Sequence, residues 1–295
     1  MTSERPTVRP VTLPRLVELV YLCGNSTQST DEVEVALDVT HRRARETILE
    51  VLRIGLILEP SEDTYEISAA GREFLDAVLD EVWEDVSGVL ATQSPHYGLF
   101  LRVLEDDGAC PLDELLENLS VAAEKTDYTF NQTGIEVLGD WSERLGSVQR
   151  NAFTGDYYSV EREEITPEFQ STLLEVYDEL EETTGVNLRQ RYISIPKLRE
   201  WTCERLRCRR SVFDDYLVRL CEQNIGKLEL SGAPLDTEAK KSALGIKQIE
   251  LAEADTLVST SQSTDRVMSG VTQFDKQYYY LAIYDRNLTD KLHQQ

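Results

Sequence analysis

The sequence predicts a mostly α-helical α+β fold with short β-hairpins, and three observations carry the prediction. Apolar residues recur at spacings of three and four over most of the 295 residues. Gly, Asn and Ser/Thr clusters stop these runs. Between them lie short β-branched and aromatic stretches that turn back around polar residues. The order helix, helix, strand, strand recurs along the chain, so three modules are expected, 1–92, 93–164 and 165–295, each of a size that suits the length.

In the first module Leu13, Leu16, Val17 and Val20 share a helical face that ends at Gly24-Asn25. A second, short helix starts in Ser29-Thr30-Asp31 and carries Val33, Ala36 and Leu37. The third starts at Thr40, whose hydroxyl is expected to cap free backbone N–H groups, and buries Ala44, Ile48, Val51 and Leu52 before Gly55 ends it. Leu56-Ile57-Leu58 and Thr64-Tyr65-Glu66-Ile67 read as strands around Pro60-Ser61-Glu62-Asp63. A fourth helix is expected from Ser68 to about Leu90, with Phe74, Leu75, Val78 and Val82 forming a stripe open to a homodimer partner or to the second module.

Three stretches of this module, Ala36-Leu37-Asp38-Val39-Thr40-His41-Arg42-Arg43-Ala44-Arg45, Leu52-Arg53-Ile54-Gly55-Leu56-Ile57 and Tyr65-Glu66-Ile67-Ser68-Ala69-Ala70-Gly71-Arg72-Glu73-Phe74-Leu75, resemble the winged helix-turn-helix domains of archaeal and bacterial regulators. The resemblance implies a recognition helix closed by Gly55, a hairpin wing, and a Ser, Gly, Phe-Leu signature opening the next helix. In such a domain the start of the third helix enters the major groove of duplex DNA and the wing touches the neighbouring backbone.

The second module repeats the pattern more faintly. Tyr97, Phe100, Leu101 and Leu104 share a face, Asp107-Gly108 ends it, Pro111 to Leu119 reads as a short helix, and Asn131 opens a helix carrying Ile135, Leu138, Trp141 and Leu145. Val148 to Val160, centred on Gly155-Asp156, reads as a hairpin. In the third, an acidic helix from Thr166 to Glu182 precedes a helix pair, Ser194 to Leu206 and Arg210 to Asn224. The strand Gly226 to Leu230 then pairs with either Ile246 to Leu251 or Tyr278 to Tyr284, and Thr256 to Thr264 reads as an exposed Ser/Thr-rich loop. Tandem winged helix-turn-helix domains are therefore expected.

The formal net charge is −24, and the 30 basic residues divide into 22 Arg and 8 Lys. This composition resembles that of proteins from salt-loving archaea, where acidity serves solvation and says little about partners. Elsewhere it would oppose nucleic acid at long range. The apolar stretch Leu16 to Cys23 is short, holds Glu18 and has helical periodicity, so neither signal peptide nor membrane span is expected. Five cysteines, Cys23, Cys110, Cys203, Cys208 and Cys221, show no framework spacing, which fits reduced thiols and a cytoplasmic chain.

Catalytic motifs are not found. There is no phosphate-binding Gly loop, zinc-protease helix or nucleophile elbow. His41, His96 and His293 are remote in sequence from any cysteine pair, so neither a metal nor a cofactor is expected. The Glu238-Ala239-Lys240 stretch echoes metal-dependent nucleases, a pattern that chance supplies easily in so acidic a chain.

What remains is a local reversal of charge. From Val39 to Arg53 four arginines face only Glu46 and Glu50. His41, Arg42, Arg43 and Arg45 stand at the start of the third helix, where Arg can take guanine bidentately or grip phosphate. Arg205, Arg207, Arg209 and Arg210 repeat the device in the third module. Tyr157 and Tyr158 could stack on bases or fill a core. The expectation is a non-enzymatic protein that binds double-stranded DNA, as a regulator or accessory factor. The competing expectation is an adaptor subunit whose modules dock protein partners in a DNA-handling complex.

Overall fold

The computed structural model describes residues 6–161, 164, 166–183, 192–232, 249–250, 257–258 and 267–289. They form a mostly helical α+β protein with small antiparallel sheets. The chain divides into two compact units, residues 1–148 with 246–262, and residues 149–245 with 263–295. Among the described residues no helix is long and apolar enough to cross a membrane.

The first unit opens with α1 (Leu13–Asn25), α2 (Thr30–Ala36) and α3 (His41–Ile54). Ser29 caps α2 through the Glu32 N–H while Glu32 answers the Ser29 N–H, a reciprocal capping box. Thr40 precedes α3 with extended backbone but makes no side-chain cap bond, contrary to the expectation from its hydroxyl. Gly55 ends α3 at φ 82°, a conformation that costs Gly least. Strands β1 (Ile57–Ser61) and β2 (Thr64–Ile67) then pair antiparallel, and Gln28 adds a one-residue bridge to Tyr65 on the far side of β2.

The junction to α4 (Ala69–Leu79) explains the Ser-x-x-Gly pattern. The Ser68 hydroxyl donates to the Gly55 carbonyl at 2.7 Å and accepts from the Gly71 N–H at 2.9 Å. A Cβ on Gly71 would lie 2.0 Å from the Leu56 carbonyl oxygen, so only glycine lets helix and hairpin meet. The long helix expected to about Leu90 is broken: Glu81 turns left-handed at φ 57° and α5 (Trp83–Gln93) starts anew. Phe74 and Val78 are wholly buried within the unit, where α4 packs on α1 and α5, while Val82 is exposed.

Helices α6 (Pro95–Asp107), α7 (Leu112–Ala123) and α8 (Gln132–Leu145) complete this unit around Tyr97, Phe100, Leu138 and Trp141. The unit thus takes in all of the expected first module and most of the second, because α5 and α6 pack directly on α8. Residues 6–11 form a strap across these helices. Thr129 N–H donates to the Pro6 carbonyl at 2.8 Å, and Trp141 Nε1–H to that of Val11 at 2.9 Å. β7 (Ile249–Glu250) pairs with β8 (Leu257–Val258) inside the stretch expected as strand and loop.

Beneath the strap Glu50 has no exposure. Its carboxylate accepts from Arg53 at 2.5 and 3.2 Å, and from both the backbone and the guanidinium of Arg9 at 3.2 and 3.3 Å. Arg53 also reaches His96 Nδ1 at 3.1 Å, and His96 Nε2–H donates to the Pro6 carbonyl at 2.8 Å. With one nitrogen accepting and the other donating, His96 is neutral, and burial holds its pKa below the ordinary 6.5.

The division between units falls inside β3 (Val148–Arg150), which pairs with β4 (Tyr157–Ser159). In the second unit α9 (Phe169–Thr183) precedes β5 (Tyr192–Ser194), α10 (Ile195–Leu206), α11 (Arg210–Gln223) and β6 (Leu228–Ser231). After the hairpin β9 (Val271–Gln273) and β10 (Lys276–Tyr278), β11 (Tyr280–Ile283) returns between β5 and β6, so the aromatic run is the partner of β6. The core joins Phe169, Leu173 and Tyr177 of α9 to Phe213, Tyr216 and Leu220 of α11.

Two predictions follow from the buried ion cluster. Glu50→Ala strands Arg53 and Arg9 and should cost about 3 kcal/mol, read as faster hydrogen exchange in α3 and α6. His96 takes a proton more readily unfolded than folded, so the stability it contributes is full above about 6.5 and is lost as pH falls. Urea midpoints should therefore drop between about pH 7.5 and about pH 5.5 by more in the native chain than in His96→Gln.

Candidate nucleic-acid interface

The turn between α2 and α3 is tight because Asp38 takes a left-handed conformation at φ 48°, which Asp tolerates better than most residues. It sets the start of α3 outward. On this amphipathic helix Ala44, Thr47, Ile48 and Val51 are buried, whereas His41, Arg42, Arg43 and Arg45 are exposed. Arg42 is 87% exposed and Arg43 64%, and both lean on Glu46, at 3.1 and 3.8 Å. Exposed pairs of this spacing contribute about 0.3–0.5 kcal/mol, so a phosphate or a guanine edge would displace Glu46 readily. Arg42 and Arg45 stand one turn apart. The fourth arginine of the segment, Arg53, turns inward to Glu50 and is no part of this face.

His41 faces α2. Its Nδ1 lies 3.1 Å from Glu34 Oε2 and 3.6 Å from Asp31 Oδ1. The hairpin beside it is acidic, carrying Glu59, Glu62, Asp63 and Glu66 with no Lys or Arg from Ile57 to Ile67. Asp63 is tied back to α2, accepting from the Thr30 N–H at 3.1 Å and from the Thr30 hydroxyl, which holds its carboxyl below the usual range. Sequence reading missed the approach of Asp31 and Glu34 to His41, although their i, i+3 spacing after a capping box places them on one helical face.

The second arginine group is placed differently. Arg207 occupies the turn between α10 and α11 at φ 49°, three residues before α11 begins, the position Asp38 holds before α3. Arg205 pairs with Glu179 and Arg207 with Glu161. Arg209 is half-buried at the α11 N-cap. Arg210 is only 11% exposed, binding the fully buried Glu200 at 2.6 and 2.8 Å and the Arg150 carbonyl at 2.8 Å. Glu200 also accepts from the Ala152 N–H at 2.8 Å, so this pair is fastened to the β3–β4 loop. A buried, fully bonded pair of this kind is not surrendered to a ligand as Glu46 would be. Tyr157 and Tyr158 are buried, which leaves the core-filling alternative for both.

All five cysteines are buried and outside any disulfide, and burial pushes Cys23 and Cys221 up to about 12. Asp214 lies on α11 and holds Arg199 at 2.7 Å. Glu238, Lys240 and His293 lie outside the described residues.

The two arginine groups should separate in a denaturation series. Replacing Arg42, Arg43 and Arg45 by Ala should move urea stability by less than about 0.5 kcal/mol per site. Arg210→Ala, leaving Glu200 buried without its cation, should cost about 3 kcal/mol or more in the second unit.

Comparison with protein-family models, with curated proteins and with solved structures finds no match for this chain.

Proposed function

We propose that the chain is a non-enzymatic DNA-binding protein built from tandem winged-helix modules, in which α3 of the first unit reads duplex DNA. The observation that carries the reading is the exposed face of Arg42, Arg43 and Arg45 at the start of a helix set outward by a tight turn. A second observation supports the winged-helix identity. In the first unit the order is helix, one-residue strand at Gln28, two helices, β1 and β2, with β2 in the middle. The second unit has α9, β5, α10, α11, β6 and β11, with β11 in the middle. Both helix pairs turn through one left-handed residue three positions before the second helix. In this reading the second unit shares the architecture, but Arg210 is locked on the buried Glu200 while Arg205 and Arg207 are paired with the surface acids Glu179 and Glu161.

The acidic hairpin modifies the expected mode of contact. Four carboxylates repel phosphate, so binding rests on α3 and not on the wing. A second reading, docking of a protein partner, is favoured by one observation: the corner between α4 and α5 holds a cavity of about 840 Å³ lined by Glu73, Asp76, Asp80, Glu84 and Asp85. Such a groove suits a basic partner segment.

A gel-shift series at matched salt distinguishes the two. Replacing Arg42, Arg43 and Arg45 by Ala in the full chain should weaken duplex binding by at least about tenfold and flatten its salt dependence. Unchanged affinity would sink the α3 reading and leave the docking groove as the better account.

A further inference from the structure

Among the described residues, one group of three His, Cys, Asp or Glu side chains brings its donor atoms within 4.8 Å of one another: Asp31, Glu34 and His41. We propose that these three side chains form a site for a first-row divalent cation of the Mn²⁺ to Zn²⁺ series at the head of α3.

The backbone builds the convergence. The Ser29–Glu32 capping box fixes where α2 starts, so Asp31 and Glu34 share one face a turn apart. The left-handed Asp38 then folds α3 back so that its first residue presents Nδ1 to both carboxylates. Asp63 of the hairpin, bonded to Thr30 beside Asp31, stands outside the triad but close enough to His41 to feel its charge. Two carboxylates held this close repel each other, and a dication bound between them converts that repulsion into attraction. One imidazole nitrogen and two carboxylate oxygens make a borderline donor set that leaves the remaining positions to water. The imidazole disfavours Ca²⁺ and Mg²⁺, and the absence of sulfur from the triad disfavours Cu(I).

The consequence for DNA rests on the reading of α3 given above. Asp31 and Glu34 place negative charge within reach of the groove that Arg42 and Arg45 are to enter. A bound dication cancels it and fixes His41, so metal should tighten duplex binding.

Calorimetric titration of the full chain with Zn²⁺, repeated with Co²⁺ followed by its visible absorption, tests the site without any DNA present. About one equivalent should bind, and His41→Ala and Glu34→Gln should each weaken it by at least about tenfold. Both positions lie on the surface, and circular dichroism will show whether each variant keeps its helices. No binding, or binding equally tight in both variants, overturns the site and leaves an imidazole–carboxylate contact only. A gel shift with and without Zn²⁺ then tests the coupling. Tightening in the native chain that vanishes in His41→Ala supports it. If duplex affinity ignores the metal yet falls with the arginine variants, the coupling is overturned while the α3 reading stands. If no form binds duplex, that reading falls and the calorimetry still decides the site.

Discussion

Glu50 is the constraint around which the first unit is arranged. A carboxylate with no exposure cannot stay ionised unless cations and N–H groups surround it. Arg53 comes from the same helix, but Arg9 must be brought from the strap, and its backbone N–H is used as well. Arg53 in turn requires an acceptor from His96, which fixes the start of α6 and returns a bond to Pro6. One buried charge thereby orients α3, α6 and the strap together. The inner face of α3 is saturated, and its remaining arginines are left to the outer face.

The second unit uses the same device in another place. Glu200 of α10 is as deeply buried as Glu50, and Arg210 answers it from the first position of α11, the position occupied by His41 in α3. In one helix pair the arginines at the turn look outward. In the other the first residue after the turn faces a buried acid. Two Arg-rich stretches that look alike in sequence thus differ in their partners: one leaves Arg42, Arg43 and Arg45 exposed, whereas the other ties Arg210 to the buried Glu200 and Arg205 and Arg207 to Glu179 and Glu161.

That difference marks the limit of what the residue pattern discloses. Helices α1 to α3, the β1–β2 hairpin and the α10–α11 pair were legible because their apolar periodicity acts locally, and because Gly55 marks the end of α3. The break at Glu81 was not, since no Gly or Pro marks it and Glu is a good helix former. The pairing of β6 with β11 is separated by some fifty residues, and periodicity carries no information on register at that range. At the candidate interface the outward direction of Arg42, Arg43 and Arg45 could be read from the helical wheel. The inward direction of Arg53 could not, because it depends on Arg9 and His96, remote in sequence. The convergence of Asp31, Glu34 and His41 required the left-handed turn at Asp38, a conformation that no composition rule assigns to that residue.

The strap of residues 6–11 has a consequence for how the chain comes to be folded. Its bond partners lie 41, 90 and 130 positions downstream, at Glu50, His96 and Trp141. Contacts of such separation form late, after the intervening chain has been ordered. Synthesis from N- to C-terminus would therefore complete α1 to α4 before His96 and Trp141, which bind Pro6 and Val11, are present. Within the first unit the strap is made before most of the groups that hold it, so it is among the last of that unit's segments to be fastened.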